Sequence, residues 1–159
     1  MRKKPEISLR TRALQYLARR EYSRAELRAK LLPHIQADDE FDSASAPDID
    51  ALLDDLTQRG WLSDERAATQ LLHAKRGRYG TQRITYELRQ RGIGETLIAS
   101  ALPELKESEL ATAREVWRKK FGVAPQDATE KARQMRFLQS RGFGFEVIAQ
   151  VLRLEETSD

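Results

Sequence analysis

Six basic side chains, Lys75, Arg76, Arg78, Arg83, Arg89 and Arg91, fall within seventeen residues, and Glu87 is the one acid among them. Cations at this density attract polyanions, above all phosphate. Part of the cluster has a local explanation. Lys75 and Arg76 close a predicted helix, where positive charge offsets the helix dipole by about 0.3–1 kcal/mol. Arg83 can pair with Glu87 one turn later, worth about 0.2–0.5 kcal/mol. Neither explanation covers Arg78 or Arg89, so this stretch is the first choice for a contact surface. A second group lies toward the C-terminus, where Arg133, Phe137 and Arg141 are spaced four apart with Arg136 among them. That spacing gives one helix face on which an aromatic ring could stack on a base between two phosphate contacts. Phe137 adjoins Leu138, however, and both can reach a helical core, so packing is the favoured reading of the ring.

Other chemistries lack parts. There is no cysteine, His34 and His73 are the only histidines, and no glycine-rich phosphate loop or metal-ligand spacing occurs. Neither a metal nor a cofactor is expected. The acid pairs Asp54/Asp55 and Glu155/Glu156 are neighbours in sequence, not carboxylates facing across a cleft, and read as solvated surface. An enzyme with a small-molecule substrate is therefore not expected. No apolar run approaches the roughly 20 residues that span a bilayer, and the basic start at Arg2, Lys3 and Lys4 has no apolar signal core behind it. The expectation is a cytoplasmic protein without membrane contact.

The formal charge of +3 conceals an uneven distribution. Residues 37–55 hold eight acids and no base; without them, 28 bases face 17 acids, an excess of eleven. A nucleic-acid partner suits such a chain, with an acidic segment that would discourage binding on one side.

The elements that must position these charges are helices. Gly60, Gly77, Gly92, Gly122 and Gly142 each follow a helical pattern where a left-handed cap is expected. Ser23 with Glu26 and Asp127 with Glu130 have capping-box spacing, and Ser63 precedes Asp64 and Glu65. Pro33, Pro47, Pro103 and Pro125 are expected between helices. Nine helices result, near 8–20, 23–33, 48–59, 64–76, 81–91, 95–102, 108–121, 128–141 and 145–154, with no strand. Trp61, Trp117 and Phe121 are expected in the core. The segment 36–46, rich in Asp, Ala and Ser, is expected to be a mobile acidic loop.

Repetition is visible in two ways. Leu14, Leu17 and Ala18 share apolar spacing with Ala68, Leu71 and Leu72 and with Ala113, Val116 and Trp117. A constant shift of 50 sets Leu88, Arg91, Gly92, Ile93, Ile98 and Leu102 against Leu138, Arg141, Gly142, Phe143, Ile148 and Leu152. The expected fold is all-α, three tandem three-helix modules (1–62, 63–105 and 106–159) in an elongated, curved array.

Three stretches carry a family resemblance. Gly60-Trp61-Leu62-Ser63-Asp64, the long run Gly80-Thr81-Gln82-Arg83-Ile84-Thr85-Tyr86-Glu87-Leu88-Arg89-Gln90-Arg91-Gly92-Ile93, and Arg136-Phe137-Leu138-Gln139-Ser140-Arg141-Gly142-Phe143 resemble signatures of the RecX family in their order along the chain. Ala13 to Leu31 resembles its first module. The resemblance implies three tandem three-helix repeats and a regulator that lies along the RecA filament on single-stranded DNA, inhibiting recombinase, ATPase and coprotease activities. It places the protein in DNA repair, recombination and the SOS response; separately, a monomer is expected. One departure is the acidic loop at 37–46, whose length and charge map to no role in the family. The rival reading is a helix-turn-helix transcription regulator, because three-helix modules resemble that architecture locally. Against it, the basic residues are spread over three modules instead of one recognition helix.

Overall fold

The computed structural model describes residues 7–36 and 48–157, and every regular element among them is a helix. In chain order these are α1 (Leu9–Leu17), α2 (Arg24–Gln36), α3 (Ile49–Gln58), α4 (Asp64–Lys75), α5 (Thr81–Gln90), α6 (Glu95–Lys120), α7 (Ala128–Ser140) and α8 (Phe145–Glu156). None of them is long and apolar enough to cross a membrane. The acidic loop beyond Gln36, with Pro47, lies outside the described residues.

Local chemistry fixes most helix ends where the sequence puts them. Ser23 and Glu26 form a reciprocal capping box: the Ser23 hydroxyl accepts from the Glu26 N–H (3.0 Å), and the Glu26 carboxylate accepts from the Ser23 N–H (3.1 Å). Asp127 accepts from the Glu130 N–H at 2.8 Å, but Glu130 reaches back to the Gln126 N–H instead of that of Asp127. Ser63 accepts from the Arg66 N–H. All five expected cap glycines have positive φ, between 71° and 91°. At Gly142 the cap is a Schellman motif, with the Phe143 N–H on the Leu138 carbonyl and the Gly142 N–H on that of Gln139.

Two prolines depart from expectation. Pro33 lies inside α2 and Pro103 inside α6, so the helices expected at 95–102 and 108–121 are one continuous helix and eight helices, not nine, are described. Proline cannot donate to the carbonyl four residues back and costs about 3 kcal/mol in a helix interior. Ile98 and Leu105, buried on either side of Pro103, each contribute about 1.5–3 kcal/mol by burial, enough to hold α6 through the defect. The boundary drawn at 105/106 therefore falls inside α6.

The chain divides into two compact units: Met1–Gln70 with Arg91–Ile93, and Leu71–Gln90 with Gly94–Asp159. In the first, α1 packs on α2 and α2 on α3 around Ala13, Tyr22, Leu27, Leu31, Ile49, Leu53, Leu56 and Leu62. Its joints are polar. Asp64 accepts from the Arg24 N–H at 2.7 Å, and the Ser23 hydroxyl donates to the Arg91 carbonyl. In the second unit α6 packs against α5, α7 and α8, and Ala113, Trp117, Leu138, Phe143, Ile148, Val151 and Leu152 form a core. Trp117 donates its indole N–H to buried Gln134 at 2.8 Å, and Gln134 in turn donates to the Val123 carbonyl.

The shift-of-50 repeat holds in burial, since Leu88 and Leu138, Ile93 and Phe143, and Ile98 and Ile148 are all buried. The other repeat needs its register moved by one in the first and second modules. Leu14 is 37% exposed and Ala18 is exposed, whereas Ala13 is fully buried; the matching positions are Ala13, Ala67 and Ala113, each followed four residues later by Leu17, Leu71 or Trp117. Trp61 is also not a core residue. It is 45% exposed, with Arg59 over its ring, because Leu62 makes the apolar contact that follows the Gly60 cap.

Candidate functional site

The second unit is closed by an unusually near approach of two backbones. The Gly80 N–H donates to the Arg141 carbonyl at 2.8 Å and the Gln82 N–H to the Gly142 carbonyl at 3.1 Å. Neither glycine has room for a side chain: a methyl on Gly80 would overlap the Gly142 carbonyl, and one on Gly142 would overlap Arg83. Buried Glu109 of α6 ties the same corner, accepting from the Thr81 hydroxyl at 2.6 Å and the Gly144 N–H at 3.4 Å. The turn between α4 and α5 is thereby held against the turn between α7 and α8.

This juxtaposition gathers cations that are distant in sequence around one ring. The charged groups of Arg83, Lys75, Arg141 and Arg78 lie 4.4, 5.0, 5.4 and 5.8 Å from the centre of the half-buried Tyr79 ring. Each such contact is worth about 0.5–1 kcal/mol where solvent reaches it. Arg141 also lies 5.2 Å from the centre of Phe137, with Lys120 at 5.5 Å from the same ring. Phe121 meets Phe137 edge-on, centres 5.3 Å apart, and carries Arg133 at 5.9 Å. Through these rings Arg78, Arg141, Lys120 and Arg133 follow one another in a chain of neighbours, with Lys75 and Arg83 at its Tyr79 end. Phe137 is half-buried against the core, as the packing reading of the ring requires.

Charge pairing separates these residues further. Glu87 sits between Lys75 (3.9 Å) and Arg83 (3.5 Å). Among the described residues no acid pairs with Arg78, Arg141, Lys120 or Arg133. The remaining expected contact residues go elsewhere. Arg76 faces Glu104 at 3.6 Å. Arg89, which had no local explanation in the sequence, is engaged by Glu95 through two hydrogen bonds of 2.8 and 3.2 Å. Those bonds hold the Glu95 carboxyl below its ordinary value and raise Arg89. Arg91 belongs to the first unit, and Arg136 is exposed on α7 apart from the ring contacts.

The first unit treats its charge differently. Asp50, Asp54 and Asp55, part of the acid-rich stretch, are taken up by Arg10, Arg24, Arg28 and Arg59, and Asp48 caps α3. Hydrogen bonds from Arg10 and then Arg59 hold the Asp55 carboxyl below its usual range. Arg10, Arg24, Arg28 and Arg59 of the first unit are thus matched by its own acids, whereas among the described residues Arg78, Arg141, Lys120 and Arg133 have no such partner. Among the described residues no group of His, Asp or Glu could hold a metal ion.

Tyr79 and Lys120 were not singled out in the sequence. The signal for Tyr79 was local, an aromatic four residues after Lys75 and next to Arg78, and that for Lys120 was the basic run Arg118-Lys119-Lys120 beside Phe121.

Comparison with known proteins gives consistent matches along the chain. Family models for the first, second and third three-helix domains of RecX match residues 10–39, 63–102 and 107–152. The regulatory protein RecX of Leptothrix cholodnii is 46% identical over 153 residues, covering 96% of this chain and 92% of the relative. That of Chromobacterium violaceum is 46% identical over 145 residues, covering 91% and 89%. The crystal structure of RecX from Lactobacillus salivarius is similar in fold, with a TM-score of 0.71 at 14% identity over 93% of this chain and 94% of that one.

Proposed function

Because the chain belongs to the RecX family of regulatory proteins, we propose that it binds the RecA filament formed on single-stranded DNA and restrains it, lowering recombinase, ATPase and coprotease activity. On this reading it works in the cytoplasm, in recombinational repair and the SOS response, as a monomer that catalyses nothing itself. One observation supports a phosphate-facing contact: Arg78, Arg141, Lys120 and Arg133 are laid over three aromatic rings, and among the described residues no acid is paired to them. Cations held near one another in this way repel, and a polyanion relieves that repulsion while releasing counterions.

Co-sedimentation with RecA filaments on single-stranded DNA tests the proposal, with DNA alone and RecA alone as controls. Filament binding accompanied by slower DNA-dependent ATP hydrolysis by RecA is the expected result. Unchanged RecA turnover at saturating protein would refute the regulatory step and favour a DNA-binding transcription regulator.

A further inference from the structure

We infer that the outward face of α5 is a base-contacting surface, with Tyr86 as its stacking platform. α5 buries Ile84, Thr85 and Leu88, which leaves Gln82, Tyr86, Arg89 and Gln90 exposed at the spacing of one helix face. Tyr86 is 61% exposed, and among the described residues neither its ring nor its hydroxyl has a partner. Tyr86 is thus a large aromatic left in water on an otherwise polar helix face. Its neighbours on that face are two amides and an arginine. The amides offer both donors and acceptors, which suits base edges. No carboxylate stands on the stripe itself: Glu87 lies off it between Lys75 and Arg83, and Glu95 engages Arg89 at one end.

The neighbouring charge selects the occupant. α5 begins beside the Tyr79 cluster, so a strand whose phosphates meet Arg78 and Arg141 would bring its bases toward the helix that follows. Aromatic side chains hold unpaired bases by stacking and tolerate any sequence, because every base presents a π-face. Single-stranded nucleic acid therefore fits both parts, the phosphate-binding turn and the ring-bearing face on which no carboxylate stands. The inference rests on the nucleic-acid side of the proposed function and specifies that the protein touches DNA bases directly.

The test compares binding of the full chain to a short single-stranded oligothymidylate and to an abasic strand of equal length, which keeps the phosphates and lacks bases. Wild type should prefer the oligothymidylate. Tyr86→Ala should lose about 5- to 150-fold of affinity for it, the span that one stacked base contributes, with binding to the abasic strand unchanged. Tyr86→Phe keeps the ring and should stay within a few-fold of wild type. Arg78→Ala should weaken both strands alike. Equal loss on both strands for Tyr86→Ala, or no loss on either, overturns the inference. So does a Tyr86→Ala protein that keeps its preference for bases yet fails to bind filaments, because the ring would then serve RecA. The two readings fail separately: wild type that discriminates the strands but does not co-sediment with filaments refutes only the filament proposal, and wild type that co-sediments but binds both strands alike refutes only the base contact.

Discussion

Replacing Gly80 by alanine separates the corner that assembles the cationic surface from the helices that flank it. Gly80 does not have positive φ, so its backbone conformation suits alanine and the penalty comes from space alone. The added methyl would overlap the Gly142 carbonyl and must push the α7–α8 turn away. Relieving overpacking by backbone movement costs about 1–3 kcal/mol. Breaking the hydrogen bonds from Gly80 to Arg141 and from Gln82 to Gly142 adds about 0.5–1.5 kcal/mol each. The expected total is about 2–6 kcal/mol. Gly77 supplies the control, because it has φ of +87° and nothing within 4 Å of an added methyl, so its alanine variant bears only the left-handed penalty of about 1–2 kcal/mol. Urea unfolding followed by Trp117 fluorescence reads this unit, in a Trp61→Phe background that silences the other, exposed tryptophan. Gly80→Ala should unfold at clearly lower urea than Gly77→Ala and should also lose affinity for single-stranded DNA. A Gly80→Ala midpoint at or above that of Gly77→Ala would refute the claim that this close approach holds the corner together.

Three further outcomes follow from the same geometry. Replacing Arg78 and Arg141 together by alanine should leave the circular dichroism spectrum unchanged and flatten the log–log salt dependence of single-strand affinity by about 1.4, or roughly 0.7 for each phosphate no longer neutralised; replacing Arg24 and Arg28, which face Asp50, should leave that slope alone. Gln134→Leu should destabilise the second unit by about 1–3 kcal/mol, since it strands the buried Trp117 indole N–H, and Trp117→Phe added to it should recover part of that loss in urea unfolding. Asp55 has a folded-state pKa below its unfolded value of about 3.9, so its contribution is present above that value and lost as pH falls through the lower folded one; Asp55→Asn should reduce acid sensitivity below about pH 4 in a urea-midpoint titration, and an unchanged profile would count against the ion pairs with Arg10 and Arg59.

Whether a feature was legible in the sequence depended on how far its cause reached. The five cap glycines could be placed because positive φ is a steric property of one residue, and the Ser23–Glu26 capping box because its bonds close within one turn. Pro103 misled because its local penalty is set against burial of Ile98 and Leu105, which only the packed unit supplies. The repeat register slipped in the first and second modules because Ala13 and Leu14, and likewise Ala67 and Ala68, are adjacent apolar residues, and spacing alone does not say which of two neighbours faces the core. Trp61 follows the Gly60 cap, where an apolar contact is expected, but that contact is made one residue later by Leu62.

The site shows the same limit more sharply. Lys75, Arg78 and Arg83 could be grouped from spacing alone, and Arg133, Phe137 and Arg141 likewise, but the two groups are about sixty residues apart and nothing in either points to the other. Their link is made by glycines, residues with no side chain to signal a contact: the space that Gly80 and Gly142 leave empty lets the backbones bond and brings Arg141 to the Tyr79 ring. Arg89 likewise carried no sign of its acid in the sequence. Its partner Glu95 lies six residues on, across the Gly92 turn, beyond the three- or four-residue reach within which helix pairs can be read. Charge density in a sequence therefore marks where cations are, whereas the number left over for a ligand is decided by which acids the fold brings back to them. Around Tyr79, among the described residues, only Glu87 returns, between Lys75 and Arg83, and Arg78 and Arg141 are left without an acid partner, which is where the proposed phosphate contact would act.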